Sequence, residues 1–385
     1  MILAENEFLG EAGRPFTVAE YKNMAGRAGR LGYNEKGKSM IYATTPSERQ
    51  LLFRKYVRGQ LERLQSSFDP GRIETWLIRL LVQVEKLERD SVSTLLLNTY
   101  AGFVETLRNP QWRDHMRAEV DYLVGRMISL GLIEVEGSTV SLSLLGRACG
   151  RSSLSFGSAM RLIEIIKNVP SHLLTATNLM ALMQGLPTEE MGYTPLVKGM
   201  RESVRADQAS QRFGIEITRA LQNHARDMLE FYGRCKRAAV LCDWISGRRL
   251  DQIEEEFSTT PYFGRIEYGD IRRFADTTRF HLQSASDIIA ILLLDESAQA
   301  ELGNLLVQLE VGLPANALGL LQLPVSLTRG EQLNVISHGI TTPGEFWGAG
   351  AEVISEAFGA SRVKYIEKFR PVRIAADQDG VSDGG

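Results

Sequence analysis

Between Tyr21 and Arg30 the chain reads Tyr-Lys-Asn-Met-Ala-Gly-Arg-Ala-Gly-Arg. On a helix, Asn23 and Arg27 stand four residues apart and Arg27 and Arg30 three apart, so one amide and two guanidinium groups project from one side. Ala25, Gly26, Ala28 and Gly29 lie among them. Residues that small let the turn approach a partner surface closely. Two forked cations beside a polar amide suit the charge that develops on a transferring γ-phosphoryl group, where such an arginine is worth roughly 10³–10⁵ in rate. Taken alone, the run equally describes a solvated basic helix end with glycines for a turn.

A second stretch able to do chemistry follows Asp270, on what reads as one long helix running on into the apolar Ile288–Leu294. Arg272, Arg273, Arg279 and Phe280 lie near its start. Arg273 and Phe280 are seven residues apart, hence on one helical face, and such a pair can stack on unpaired bases, worth about 1–3 kcal/mol per base. The competing reading makes Phe280 a core residue and pairs the arginines with Asp276 or Glu267.

These residues need elements to position them. Residues 1–45 read as strand, helix and strand: Met1–Ala4, a helix capped by Thr17 with Glu20 three residues on, then Ser39–Ala43. So short an α/β fragment cannot bury a core alone and is expected to be the end of a larger domain. Residues 46–155 read as helices closed by a hairpin, with Gly131 as helix stop and Leu132–Val135 and Thr139–Leu142 flanking Glu136-Gly137. That is the order of a winged helix, or of an unrelated α+β unit. Residues 156–300 are almost wholly helical, broken at Pro170, Pro187, Pro195, Gly247 and Thr259–Pro261. Residues 301–370 read as short helices, and 371–385 as a polar, disordered tail. The fold class is therefore mainly α with a terminal α/β fragment.

Composition narrows the classes. Across 385 residues, 44 Lys and Arg face 47 Asp and Glu, a net charge of −3. A polycation is excluded, while a local basic surface is not. No apolar run approaches the roughly 20 residues that span a bilayer, and nothing near Met1 looks like a signal peptide, so a soluble, cytoplasmic protein without a membrane partner is expected. Cys149, Cys235 and Cys242 have no CxxC spacing, and His115, His172, His224, His281 and His338 are scattered; no metal site is indicated.

The run Glu20-Tyr21-Lys22-Asn23-Met24-Ala25-Gly26-Arg27-Ala28-Gly29-Arg30 resembles motif VI of superfamily 2 DEAD/DEAH-box helicases, with Asn23 where Gln is usual. The resemblance continues over about 360 residues, to the branch of archaeal repair, polymerase-theta and exosome helicases. It implies that residues 1–45 end a second RecA-like domain. Arg27 and Arg30 would then be arginine fingers at an ATP γ-phosphate, beside Asn23 and Gly26. It implies a winged-helix brace, with His115–Gly146 and Arg147 similar to it, and a helical domain whose ratchet helix carries Arg272, Arg273, Arg279 and Phe280. Leu241–Gly247 belongs to that likeness, with Trp244 expected in the core. Leu313–Phe346 is similar to a helix-hairpin-helix module, but Leu323–Leu327 lacks its paired glycines, so packing is expected there, with Arg329 the local cation.

The family's phosphate loop (Gly-x-x-x-x-Gly-Lys-Ser/Thr) and its Asp-Glu-x-His or Asp-Glu-Ala-Asp motif are expected to be missing. The chain is thus expected to be the C-terminal part of an ATP-dependent helicase, or a subunit of a split one, inactive alone. ATP and Mg²⁺ would be held by the missing N-terminal motor part. The other expected partner is single-stranded or forked nucleic acid, DNA favoured over RNA. The alternatives are a non-enzymatic winged-helix adaptor that binds nucleic acid, and a purely structural subunit.

Overall fold

The computed structural model describes residues 2–3, 14–29, 37–62, 72–293 and 296–370. The chain divides into two compact units, Met1–Asp69 and Pro70–Gly385.

In the first unit, β1 (Ile2–Leu3) pairs in parallel with β2 (Met40–Ile41), Ile2 opposite Met40 and Leu3 opposite Ile41. Parallel neighbours require a crossover, and α1 (Val18–Gly26) lies in it. The expected cap is present: Thr17 Oγ1 accepts from Glu20 N at 3.1 Å, and Glu20 Oε2 accepts from Thr17 N at 2.8 Å. Then α2 (Pro46–Leu52) runs directly into a π-helical turn, Phe53–Val57. Residues 46–62, read from sequence as opening the next domain, pack here. Leu52 and Tyr56 bury themselves with Tyr21 of α1, the Tyr21 and Tyr56 rings 5.1 Å apart.

The second unit begins with α3 (Ile73–Leu81), β3 (Leu87–Glu88), α4 (Val92–Leu97), α5 (Tyr100–Arg108) and α6 (Trp112–Ser129). Gly131, at φ +70°, stops α6 as expected: its N–H returns to Ile128 O and that of Leu132 to Met127 O. The hairpin is β4 (Ile133–Glu136) and β5 (Thr139–Leu142), with Gly137 at φ +62° in the turn. β3 adds antiparallel to β5, giving the order β3-β5-β4. α7 (Leu144–Arg151) follows.

Next come α8 (Phe156–Asn168), α9 (Ala176–Met183), α10 (Thr188–Met191), α11 (Val204–Phe213), α12 (Ile215–Gln222), α13 (Met228–Ile245), α14 (Leu250–Phe257), α15 (Tyr268–Ser284) and α16 (Ser286–Leu293). Every break expected at Pro or Gly falls between helices. One expectation fails. The one long helix expected from Asp270 into the apolar run is two helices, divided at Ala285, where Ser284 Oγ accepts from Ser153 N at 2.6 Å and lies 3.0 Å from Ser152 Oγ. The centre of this part is α13, buried almost all round from Phe231 to Ile245, as a core helix must be.

Helix α17 (Glu296–Val311) crosses position 300, the expected end of the helical region. A 3-10 stretch (Ala315–Gln322) then leads to α18 (Arg329–Ser337), α19 (Pro343–Gly348), α20 (Ala351–Ala357) and α21 (Ala360–Glu367) around a core containing Leu320, Leu323, Val325, Val335 and Phe346. The tail expected at 371–385 lies outside the described residues. Among those described, no single helix is long and apolar enough to cross a membrane; α17 and the 3-10 stretch pass such a test only jointly and are bent by 69°. The protein is mainly α, with a small α/β fragment at its start.

Candidate functional site

The N-terminus of α1 is held from two sides. Besides the Thr17–Glu20 cap, the Glu62 carboxylate accepts from Val18 N at 2.6 Å and Ala19 N at 3.0 Å, and the Val18 N–H holds that carboxyl below its ordinary range. Lys22 Nζ donates to Gly59 O at 2.8 Å, and Tyr56 OH to Phe16 O at 2.9 Å. The other end carries the expected nucleotide contacts, and it is open: Asn23, Gly26 and Arg27 are exposed. A Cβ built on Gly26 would meet nothing within 4 Å. The helix stops at Gly26. Arg27 caps it, and the Arg27 and Ala28 N–H groups turn back to Met24 O and Ala25 O in a tightened last turn. Asn23 and Arg27 are thus both exposed at the C-terminal turn of α1, while Arg30 lies outside the described residues. Gly37 closes on this turn so tightly that a Cβ there would fall 2.1 Å from Ala28 O.

The phosphate-loop spacing, expected to be missing, does occur in the chain. Gly32-Tyr-Asn-Glu-Lys-Gly37-Lys38-Ser39 fits the Gly-x-x-x-x-Gly-Lys-Ser spacing. A phosphate loop works because it follows a strand and opens a helix, whose N-terminal N–H groups receive the phosphate. Residues 37–39 lead instead into strand β2, and Gly32–Lys36 lie outside the described residues. The spacing is present without its helix.

On α15 the four expected strand contacts fall on two neighbouring faces. Arg272 donates to Glu310 O and, at 3.2 Å, to Asp276 Oδ1; Arg279 Nη1 donates to Glu310 Oε2 at 2.6 Å. Both therefore tie α15 to the end of α17. On the other face, Arg273 donates to Tyr193 O at 2.7 Å and to Asp270 Oδ1 at 2.8 Å. Phe280 is 56% exposed, edge-on to His281 at 5.3 Å. It is not a core residue. Arg272 pairs with Asp276 as the competing reading had it, whereas Glu267 takes Arg265.

Four further cations carry the architecture and were not singled out from sequence. Arg234, Lys236 and Arg237 on α13 and Arg205 on α11 are buried, and nearly all their bonds go to loops and helix ends. Arg234 donates to Leu221 O and Asn223 O; Lys236 to Pro195 O at 2.6 Å and Gly264 O at 3.0 Å. Arg237 reaches Gln184 and Thr194, and Arg205 reaches Glu202 and Phe257 O. Burial pushes Lys236 down to about 8 and Arg237 to about 9. The signal was available: Gly-Arg-Cys-Lys-Arg interrupts an apolar helix otherwise without a polar face.

Trp244 is buried, donates Nε1–H to Leu309 O at 2.9 Å and lies under the Arg329 guanidinium at 4.2 Å. Arg329 itself donates to Gly312 O and Arg248 O, so it is turned into the protein. Leu323 and Val325 pack into the core of the C-terminal helices. Burial also pushes the thiols of Cys149, Cys235 and Cys242 up, to about 12, 12 and 11, leaving no nucleophilic thiolate at neutral pH.

No family model matches the chain. Among curated proteins it is similar to the ATP-dependent DNA helicase Hel308 of Caldivirga maquilingensis, 23% identical over 71% of this chain and 36% of that protein. Against its namesake in Pyrobaculum calidifontis the identity is 26% over 67% of this chain and 33% of the relative. The Aeropyrum pernix helicase shares 26% over 84% and 41%. The chain thus spans between a third and about two fifths of the length of these relatives. Over two thirds or more of its own length, this chain is similar to superfamily 2 DNA helicases of the Hel308 type.

Proposed function

We propose that this chain is the C-terminal part of an ATP-dependent DNA helicase, contributing arginine fingers to a nucleotide site and a guide for the translocating single strand. The observation that carries the reading is the run Glu20–Arg30: its described part leaves Asn23, Gly26 and Arg27 open at one end of a helix anchored firmly at the other. In this reading Arg27 and Arg30 meet the γ-phosphate of ATP, whose β-phosphate and Mg²⁺ are held by a motor portion that precedes motif VI in such helicases. Closure on ATP then moves the motor relative to α15, and the strand advances past Arg273 and Phe280. Within the expected winged-helix region, residues 46–155, the part from Ile73 onward acts as the brace, a reading supported by the order of helices, hairpin and added strand β3.

The test is Arg30→Ala and Arg27→Ala in a protein with both RecA-like lobes. Nucleic-acid-stimulated ATP turnover is expected to drop by roughly 10³-fold or more for a true finger, with strand binding little changed. Undiminished turnover in both variants removes the motif VI assignment and leaves the non-enzymatic adaptor.

A further inference from the structure

The loop joining α14 to α15 carries an unusual surface. Tyr262, 86% exposed, is the most exposed large apolar side chain among the described residues, and Phe263 beside it is 70% exposed. Two adjacent rings left in water at a loop tip are either mobile or built to be covered. This tip is built. Thr259 N donates to Gly264 O at 3.2 Å, Thr260 N to Phe263 O at 3.1 Å, and Phe263 N to Thr260 Oγ1 at 2.8 Å.

The turn is also anchored from below by buried charge. Thr259 Oγ1 donates to the buried Glu202 carboxylate at 2.5 Å, and the buried Lys236 ammonium donates to Gly264 O. Gly264, at φ +65°, has room for no side chain: a Cβ would stand 2.9 Å from Val197 Cγ2. Glu202 and Lys236 thus spend a buried ion each on fixing where Tyr262 and Phe263 point.

The surroundings are cationic and aromatic. Val197, packed on Gly264, is followed by exposed Lys198 and then exposed Arg201, and among the described residues no carboxylate lies within ion-pair reach of either. Arg265 follows the tip but is paired with Glu267 at 3.4 Å, so Lys198 and Arg201 are the cations that count here, and Tyr268 opens α15 at 51% exposure. Tyr193, 69% exposed, is drawn to α15 by the bond from Arg273 to its carbonyl. Flat apolar rings interleaved with cations fit a polyanion that displays flat apolar faces of its own, a single-stranded nucleic acid.

We propose that Tyr262 and Phe263 form a base-stacking platform that receives the single strand next to Arg273 and Phe280. The inference rests on reading α15 as strand-facing, and it adds contacts from a different element. The experiment titrates labelled oligo(dT) with the full chain, its Tyr262→Ala/Phe263→Ala variant and, separately, Arg273→Ala/Phe280→Ala. Loss of one stacked base is expected to weaken binding about 5- to 150-fold in the loop variant. In Phe263→Trp, the new indole emission is expected to be quenched by oligo(dT) and not by an abasic strand of equal length, which a merely structural role would not produce. Wild-type affinity in the loop variant with no quenching overturns the platform. If Arg273→Ala/Phe280→Ala still weakens binding in that case, the strand-facing reading of α15 survives. The converse pattern keeps the platform and removes α15, and a chain that does not bind oligo(dT) at all overturns both.

Discussion

A buried lysine whose two acceptors, Pro195 O and Gly264 O, are both neutral carbonyls is an expensive way to join two loops, and Lys236 makes the cost measurable. Burial, with Arg205 nearby, moves its pKa from the ordinary 10.5 down to about 8. Between those values the unfolded chain binds a proton that the folded chain has released, so this group makes folding stability rise with pH across that window. Below about 8 both states are protonated and the contribution is flat. Urea midpoints measured from pH 7.5 to 10 are expected to climb more steeply in the wild type than in Lys236→Met; parallel profiles would place the titration elsewhere. Trp244 is the opposite kind of core residue, apolar with one donor satisfied by Leu309 O. Trp244→Ala is expected to cost about 3–5 kcal/mol by denaturant unfolding. The two differ in legibility. Trp244 sits among Val240, Leu241 and Ile245, so its burial can be read from neighbours along the chain. The acceptors of Lys236 lie 41 and 28 residues away, and a cation in a helix reads locally as solvated.

At the level of elements, what could be read was whatever short-range chemistry determines. Thr17 and Glu20 are three residues apart and cap α1 as their types require, and Gly131 ends α6 through its own positive φ. Thr17→Ala is expected to cost about 1 kcal/mol, appearing first as faster hydrogen exchange of the α1 amides while the second unit keeps its protection. Equal exchange in the variant would mean that Glu62 alone suffices to anchor that end. Glu62 itself is the long-range half of the arrangement, 44 residues from Val18, and no spacing rule points to it. The division between α15 and α16 has a local signal, since Ser284, Ser286 and Asp287 favour helix ends over helix interiors, and a long-range partner, since Ser284 Oγ accepts from Ser153 N, 131 residues away. Strand β3 is two residues long, too short to show alternation, and exists because β5 offers it an edge. At the residues proposed to meet a strand, the spacing in the sequence shows the face shared by Arg273 and Phe280 but not the loop that presents Tyr262.

For the molecule as a whole, a net charge of −3 cannot draw a polyanion by itself, so the strand binding proposed above would have to come from a few local cations working against a mildly repulsive total. That situation has a thermodynamic signature. Each phosphate neutralised on a single strand releases counterions and contributes about −0.7 to the slope of log K against log salt concentration. Stacking releases none, so the two kinds of contact separate in one titration series. Arg273 already shares its guanidinium between Asp270 and Tyr193 O, and it can serve a phosphate only with the donors left over. Removing it by Arg273→Ala is expected to flatten the slope by about 0.7, whereas Phe280→Ala should lower affinity equally at every salt concentration with the slope unchanged. Equal slopes for the wild type and Arg273→Ala would confine Arg273 to its ion pair, and the electrostatic share of strand binding would then pass to the cations beside the Tyr262 loop, Lys198 and Arg201.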